Sequence, residues 1–370
     1  MEQLSTSHQK NPFSNPQSHV KLYQLEHLRA LSREGVFLCR IFSMDILLTG
    51  SVAFDYLMTF PGYFRDHILP DKLDSISLSF LVDSYRKRQG GIAPNIAYTL
   101  ALLGEKPQIM ATVGEDFNEY RKWLEDKGVD TSRMEVIPGT VTASFFCNTD
   151  RDNNQIASFY PGAMGYSTQL TFKNWEGPLP DLVVISPSDP EAMKKHVTEC
   201  RQLNIPYVYD PSQQIVRLTG DELRSGIEGA LALFVNDYEF GLVQKMTGLI
   251  PAELLHYVRF MVVTCSSRGS IVYTREGEYN IPVVPPEHIA DPTGVGDAYR
   301  GGFLTGYSHA IDLAICGQMG SLAATYCLEC EGTQSHCYTL AEFINRFRKH
   351  FNDHGQLERL LHKTTNPDGF

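Results

Sequence analysis

The sequence predicts an α/β sandwich, with a mainly parallel central sheet covered by helices on both faces and a small separate β-sheet as a lid. From Met44 onward, short continuously apolar runs alternate with helical patterns, and such runs in series mark strands buried on both faces. Two stretches break that alternation with β-type patterning and turn residues, and these supply the lid.

The elements follow in order. Residues 1–43 are rich in Ser, Gln, Asn and His, hold Pro12 and Pro16, and carry five Lys/Arg against three Glu. They read as an N-terminal extension, expected to be poorly ordered, that serves as a regulatory tail, a targeting piece or a mis-assigned start, with a charge balance too even to mark a transit peptide by itself. At Met44 the character changes to "MDILLTGSVAFDYL", a buried strand and a glycine turn, so the main domain is placed at residues 44–370. The runs "DILLTG", "DLVVIS", "IPYVYD", "LALFVN" and "FMVVTC" are read as core strands, and "NIAYTLALLG" and "PEAMKKHVTECRQL" as helices between them. The lid is discontinuous, from about residues 54–90 and 140–165. Ligands of such sheets gather at the carboxyl ends of the strands, here residues 50–55, 210–214, 236–239 and 264–269.

Composition narrows the function classes. A chain of 370 residues with 42% hydrophobic content can bury a sizeable core. Its formal charge of −11 and lack of a basic stripe argue against a nucleic-acid partner. No apolar run approaches the roughly 18 residues that span a bilayer, and "VFLCRIF" is short and interrupted by Arg40, so no membrane partner and a cytoplasmic location are expected. The eight cysteines are scattered, and reduced thiols are expected. "CLECEGTQSHC" has a spacing that zinc can use, through Cys327, Cys330, His336 and Cys337. Cys327 and Cys330, however, end an apolar helical pattern that begins near Ile311, where thiols serve as small core residues.

Two motifs carry chemistry. In "IADPTGVGDAYRGGFLTG", residues 289–306, Gly294 and Gly296 let the backbone turn its amides inward at the start of a helix, so the turn can hold a developing phosphoryl charge. The turn is no Walker loop, because no Gly-Lys-Ser/Thr follows, and no dinucleotide fingerprint, because Tyr299 stands at the third glycine position. Asp297 would repel a resting phosphate, but it suits a base that accepts the proton of an attacking hydroxyl. As a bland alternative, Asp297 caps a helix. In "RQGGIAPNIAYTLALLG", residues 88–104, Gly90 and Gly91 allow a ligand close to the backbone, and Asn95 in the next helical turn can hydrogen-bond paired hydroxyls; the alternative is a turn before a helix that Pro94 helps to start.

The order of these two motifs resembles the ribokinase-like family of carbohydrate and nucleoside kinases, with its Gly-Gly signature near the amino end and Asp-x-Thr-Gly-x-Gly-Asp near the carboxyl end. The stretches "GSVAFDYLMTFPG", "SLSFLVD", "QIASFYPGAM", "DPSQQIVRL" and "NDYEF" look like the bacterial adenosine kinases of that family. The resemblance covers nearly everything after Met44. It implies a ribokinase-like three-layer sandwich and ATP-dependent phosphorylation of the 5′-hydroxyl of adenosine to AMP. Asp297 would be the catalytic base, the amides of Gly294, Val295 and Gly296 would form the anion hole, and Ser51, Asp55, Gly91 and Asn95 would hold the ribose. Phe145 and Phe159, from two lid strands, would sandwich the purine, and Ser79, Gln213 and Gln214 would complete the pocket. Asn236 and Glu239 match an Asn-x-x-Glu element that places phosphates and Mg²⁺, with Glu239 acting on the metal through water. Thr264 and Gly269 fall at the ATP site, although Ser266 stands where the family usually has a glycine. Arg217 is a further candidate for neutralising phosphate charge. The resemblance also implies ATP and Mg²⁺ as cofactors, K⁺ as a further one, and a homodimer formed through the lid. Other readings are a kinase of the same fold acting on another nucleoside or a ribose- or fructose-type sugar, and a non-catalytic nucleotide-binding protein.

Every motif lies after Met44, so a chain starting there is expected to keep its phosphotransfer activity in an ADP-release assay. A folded but inactive chain would show that residues 1–43 belong to the catalytic unit.

Overall fold

The computed structural model describes residues 44–75 and 77–361, all within the unit Phe42–Phe370. The proposed N-terminal extension therefore lies outside the described residues. The strands are β1 (Ile46–Thr49), β2 (Ala53–Thr59), β3 (Ser84–Gly90), β4 (Gln108–Met110), β5 (Thr112–Val113), β6 (Glu135–Val136), β7 (Ala143–Thr149) and β8 (Gln155–Tyr160), followed by β9 (Leu182–Ile185), β10 (Tyr207–Tyr209), β11 (Ala232–Asn236), β12 (Phe260–Thr264), β13 (Ser270–Thr274) and β14 (Gly277–Ile281). Helices of eight residues or more are α1 (Ile92–Leu102), α2 (Asn118–Asp126), α3 (Pro190–Leu203), α4 (Gly220–Ile227), α5 (Asp237–Thr247), α6 (Val295–Ser308), α7 (Leu313–Leu328) and α8 (Leu340–His350).

The central sheet runs β14-β13-β12-β11-β10-β9-β1-β4. Its strands are parallel from β4 to β12, and β13 and β14 close the edge antiparallel. All five apolar runs read as strands are in it. The two edge strands β13 and β14 and the short β4 were not anticipated, because β13 has only three consecutive apolar residues, "GEYNI" is mostly polar and exposed, and β4 has only three residues.

Three layers follow from the period of a strand, which sends successive side chains to opposite faces. Along β1 and β9, Ile46, Leu48, Leu182 and Val184 join one core with α1, α2, α6, α7 and α8, while Leu47, Val183 and Ile185 join the other with α3, α4 and α5. Leu47 and Leu48 are fully buried, each worth about 1.5–3 kcal/mol of transfer free energy.

Several helices are started by their own side chains. Asp189 accepts from the amides of Glu191 and Ala192 ahead of α3, and Thr219–Glu222, Asn236–Glu239 and Thr339–Glu342 form capping boxes at α4, α5 and α8. Helix α6 begins differently. Its N-cap is Gly294, at a left-handed φ of 78°, with no side-chain cap. The first amides of α6 are thus left to a ligand.

The lid is a second sheet of order β3-β2-β7-β8, within the segments expected for it. Strand β2 leads straight out of β1 through residues 50–52, and β3 returns into α1 at Gly91. That glycine has φ 96°, and a side chain there would meet the Ser51 carbonyl oxygen at 2.6 Å. The base of the lid and the start of α1 are therefore locked against the carboxyl end of β1. Among the described residues, no helix is long and apolar enough to cross a membrane.

Candidate active site

A cavity of about 940 Å³ opens between the lid and the carboxyl ends of the central strands. It is lined by Ser51, Asp55, Gly91, Asn95, Phe145, Phe159, Gln213, Gly294 and Asp297, so the structure brings most of the sequence-predicted site together.

Asp297 lies in the first turn of α6. Asn95 Nδ2 donates to its Oδ2 at 2.9 Å, and Arg300 Nη1 stands 3.9 Å from its Oδ1. Burial pushes the Asp297 carboxyl up to about 6, with Arg300 and Asn95 holding it down and Glu239 pushing it further up. Asp55 is likewise raised to about 6, by burial first and then by the charges of Asp297 and Asp291. A carboxylate with its pKa near neutral is better matched to taking a hydroxyl proton than one at its ordinary value.

Arg300 is itself anchored. Its Nη2 donates to Asp210 Oδ1 at 2.8 Å, and its Nε lies 2.5 Å from Oδ2 of the same, fully buried carboxylate. Burial raises Asp210, while the guanidinium opposes that rise. Neither residue was singled out from the sequence, although Arg300 follows Asp297 by three positions and so shares its helix face. Asp210 opens a segment that the strand-end rule had marked.

The candidate anion-hole turn, Gly294–Gly296, opens α6 with Gly294 in the left-handed region. A side chain at Gly294 would meet Thr333 Cγ2 at 2.8 Å, so the turn needs glycine for contact as well as for its φ. Asp291 Oδ1 accepts from Thr293 N at 2.9 Å and Oδ2 from Gly332 N at 3.0 Å, tying this turn to the loop after α7.

On the lid, strand register sets the cavity face. Arg88, Asp55, Phe145 and Phe159 lie directly opposite one another across β3, β2, β7 and β8. The two phenylalanines are thus neighbours on one face of one sheet, and the expected sandwich is corrected to a platform of two adjacent rings. Arg86 and Arg88 both pair with Glu331, at 2.5 and 3.5 Å, linking the lid to the loop that backs the anion hole.

Other candidates fall elsewhere. Ser79 is exposed in the segment between β2 and β3 and does not line the cavity. Gln214 is buried, its Oε1 accepting from the exposed Arg217 at 3.4 Å. Asn236 and Glu239 are locked together as the capping box of α5, and Glu239 Oε1 accepts from Ser212 Oγ at 3.1 Å beside the cavity. Thr264 pairs with Asn236 in register. Ser266 adopts φ 50°, so the loop before Gly269 keeps a left-handed turn where a glycine was expected. The cysteine-rich stretch gathers no metal set: Cys327 Sγ faces the Thr293 carbonyl at 3.6 Å, His336 Nε2 faces Thr99 Oγ1 at 3.3 Å, and no group of three or more His, Cys, Asp or Glu suited to a metal occurs among the described residues.

Gln334, which no sequence signal marked, is buried behind Asn95 and donates to its Oδ1 at 2.9 Å. Only the assembled fold reveals it.

Comparison with known proteins agrees with this geometry. The description "pfkB family carbohydrate kinase" matches residues 52–339. A nucleoside kinase of Methanocaldococcus jannaschii is 30% identical over 82% of this chain and 97% of its own length. The structure of that organism's nucleoside kinase, an archaeal member of the ribokinase family, superposes with a TM-score of 0.76 at 29% identity, covering 84% of this chain and 100% of the other. A Burkholderia thailandensis nucleoside kinase in complex with inosine superposes with a TM-score of 0.75 at 37% identity, covering 83% of this chain and 98% of the other. The fold is ribokinase-like, and the chain belongs to the pfkB family of carbohydrate kinases.

Proposed function

We propose that this kinase transfers the γ-phosphoryl group of ATP to the 5′-hydroxyl of a purine nucleoside, adenosine among its substrates. The observation that carries the reading is the placement of Asp297 between the uncapped start of α6 and a lid face that bears both a carboxylate and an aromatic platform. Asp55 accepts hydrogen bonds from the paired ribose hydroxyls, and Asn95 keeps a spare amide hydrogen for the same sugar. The purine lies on Phe145 and Phe159. Asp297 takes the 5′-hydroxyl proton as that oxygen attacks, and the amides of Gly294, Val295 and Gly296 receive the charge that develops on the phosphoryl oxygens. The inosine complex of the Burkholderia protein supports a purine nucleoside without favouring adenosine over inosine.

Glu239 fits a role near Mg²⁺ as a hard oxygen donor held in place by the Asn236 amide, acting through water because its two oxygens already accept hydrogen bonds. Bound Mg²⁺ supplies charge neutralisation to the ATP phosphates. A cytoplasmic location and a response to K⁺ belong to the same reading. On the lid's outer face Tyr56 stacks on Phe146 at 4.8 Å, and Tyr85, Phe146, Ile156 and Tyr160 are exposed, which supports a homodimer that pairs two lids.

Asp297→Asn is expected to lower kcat by roughly 10²–10⁴-fold with nucleoside affinity retained, the usual cost of a lost general base. In the parent, kcat/KM should fall as pH drops through about 6, because both Asp297 and Asp55 must be ionised to work. Titration of initial rates checks this, and a profile flat to pH 5 would exclude Asp297 as the base.

Stacking on the lid platform should contribute on the order of 1–3 kcal/mol per ring. Phe145→Ala or Phe159→Ala is therefore expected to raise the KM for adenosine and inosine roughly tenfold while hardly affecting the poor substrate ribose. Steady-state kinetics on the three substrates decide; equal proportional losses for nucleoside and ribose would mean that the rings only pack the lid and would favour the sugar kinase reading.

A further inference from the structure

Behind Asp297 lies a chain of hydrogen bonds whose direction is forced at one end. The indole N–H of Trp123, on α2, can only donate, and it donates to Gln334 Oε1 at 3.2 Å. The other end of the Gln334 amide must then be the nitrogen. Its two hydrogens go to Asn95 Oδ1 at 2.9 Å and to the Tyr120 hydroxyl oxygen at 2.5 Å. Tyr120 spends its own proton on the Gly90 carbonyl at 2.9 Å, at the base of the lid. With its oxygen thus engaged, Asn95 has only its N–H to turn toward Asp297 Oδ2. Tyr120, Asn95 and Gln334 are all buried, so a reversed amide would leave an unsatisfied group or set two acceptors face to face, which is costly away from water.

We infer that Gln334 is a positioning residue for the phosphoryl transfer, fixing the Asn95 amide so that a donor always faces the carboxylate of Asp297, with Trp123 setting the polarity. This rests on the reading of Asp297 as the base. Gln334 touches no cavity surface itself and acts only through Asn95. Its loop also carries Thr333, packed on Gly294, and Glu331, paired with the lid arginines, so the segment after α7 supports the base, the anion hole and the lid at once.

The charges that act on Asp297 are Arg300 on its own helix and Glu239 on α5, and Asp297 in turn acts on Asp55 on β2, Asp210 after β10 and Cys327 on α7. None of them changes in Gln334→Met or Trp123→Phe, so a shift in the acidic limb of kcat/KM in those variants reports on Asn95, and Gln334→Glu, which adds a carboxyl of its own, is read against them.

The test compares the parent with Gln334→Glu, Gln334→Met and Trp123→Phe, measuring pH profiles of kcat/KM for adenosine and inosine at saturating Mg·ATP, with folding checked by circular dichroism. Glutamate presents acceptors to both Trp123 and Asn95, so Asn95 must turn its N–H away from Asp297. Gln334→Glu should raise the acidic limb by about one pH unit and lower kcat roughly 10- to 100-fold, the scale of one charge-assisted hydrogen bond. Gln334→Met leaves Asn95 free to keep its orientation part of the time, and its shift should be in the same direction and smaller. Folded Gln334→Glu protein with the parental limb, and a kcat within threefold of the Met variant, overturns the inference. If Gln334→Glu does not fold, Trp123→Phe decides: removing the fixed donor lets the Gln334 amide reverse, so the limb must rise, and an unmoved limb overturns the inference. A parent that phosphorylates no nucleoside takes down the functional reading as well, whereas an active parent with unmoved limbs in its variants takes down this one alone.

Discussion

A buried carboxyl, Asp297, stands at the uncapped start of a helix with its pKa raised, and in the proposed function it has to stay ionised beside the phosphates of ATP; the surrounding structure answers to that constraint. Asp297 stands in the first turn of α6, where the helix amides favour negative charge. The same position is buried from water and faces the charge of Glu239, both of which raise its pKa. Only two contacts oppose that rise, the Asn95 amide and the more distant Arg300 guanidinium, and each is secured from behind by a buried partner, Gln334 in one case and Asp210 in the other. A buried carboxylate such as Asp210 is unfavourable unless paired, and its pairing with Arg300 keeps the cation beside Asp297.

These supports reach one place because the sheet is parallel. The carboxyl ends of β1, β10, β11 and β12 lie along one edge and deliver Ser51, Asp210, Asn236 and Thr264 side by side. Helix α6 points its start at the same edge, since its buried face packs Phe303 against Phe234 and Phe260 of the sheet beneath. The lid then needs only a short link from β1, and the left-handed turn at Gly91 returns it to α1.

Much of this was legible in the sequence where a local rule governs the residue. Continuous apolar runs located the five core strands, because burial on both faces leaves a strand no polar positions. The glycines of residues 294–296 marked the uncapped helix start lining the cavity, because the left-handed backbone at Gly294 is visible as glycine. Residues whose role depends on partners distant in sequence were not legible. Gln334 meets Asn95 across 239 positions and Trp123 across 211. Arg300 and Asp210 are 90 apart, and neither sits in a pattern that announces a buried pair. The relation of Phe145 to Phe159 was misread for a different reason: two aromatic residues on two strands fit a sandwich or a platform equally well until the register is known, and register is set by the turn at residues 150–154, where Asp150 accepts from the backbone amides of Asp152 and Asn154.

The division of labour between body and lid has an electrostatic logic. In the proposed mechanism a lid that covers the cavity removes water from Asp297 and the incoming phosphates of ATP add negative charge, so both events would push the base toward its protonated, useless form. Supports carried on the lid would come and go with its position. Asn95 and Arg300 are instead carried on α1 and α6 and braced by groups in the body of the protein, so they hold the carboxylate ionised whatever the lid does. What the lid does carry would suit intermittent contact: in the proposed reading Asp55 serves the sugar hydroxyls and the aromatic rings the base, and two arginines reach Glu331 beside the start of α6. On the proposed reading, the groups that act on the proton are built into the body, and the groups that select the substrate are built on the second sheet above the cavity.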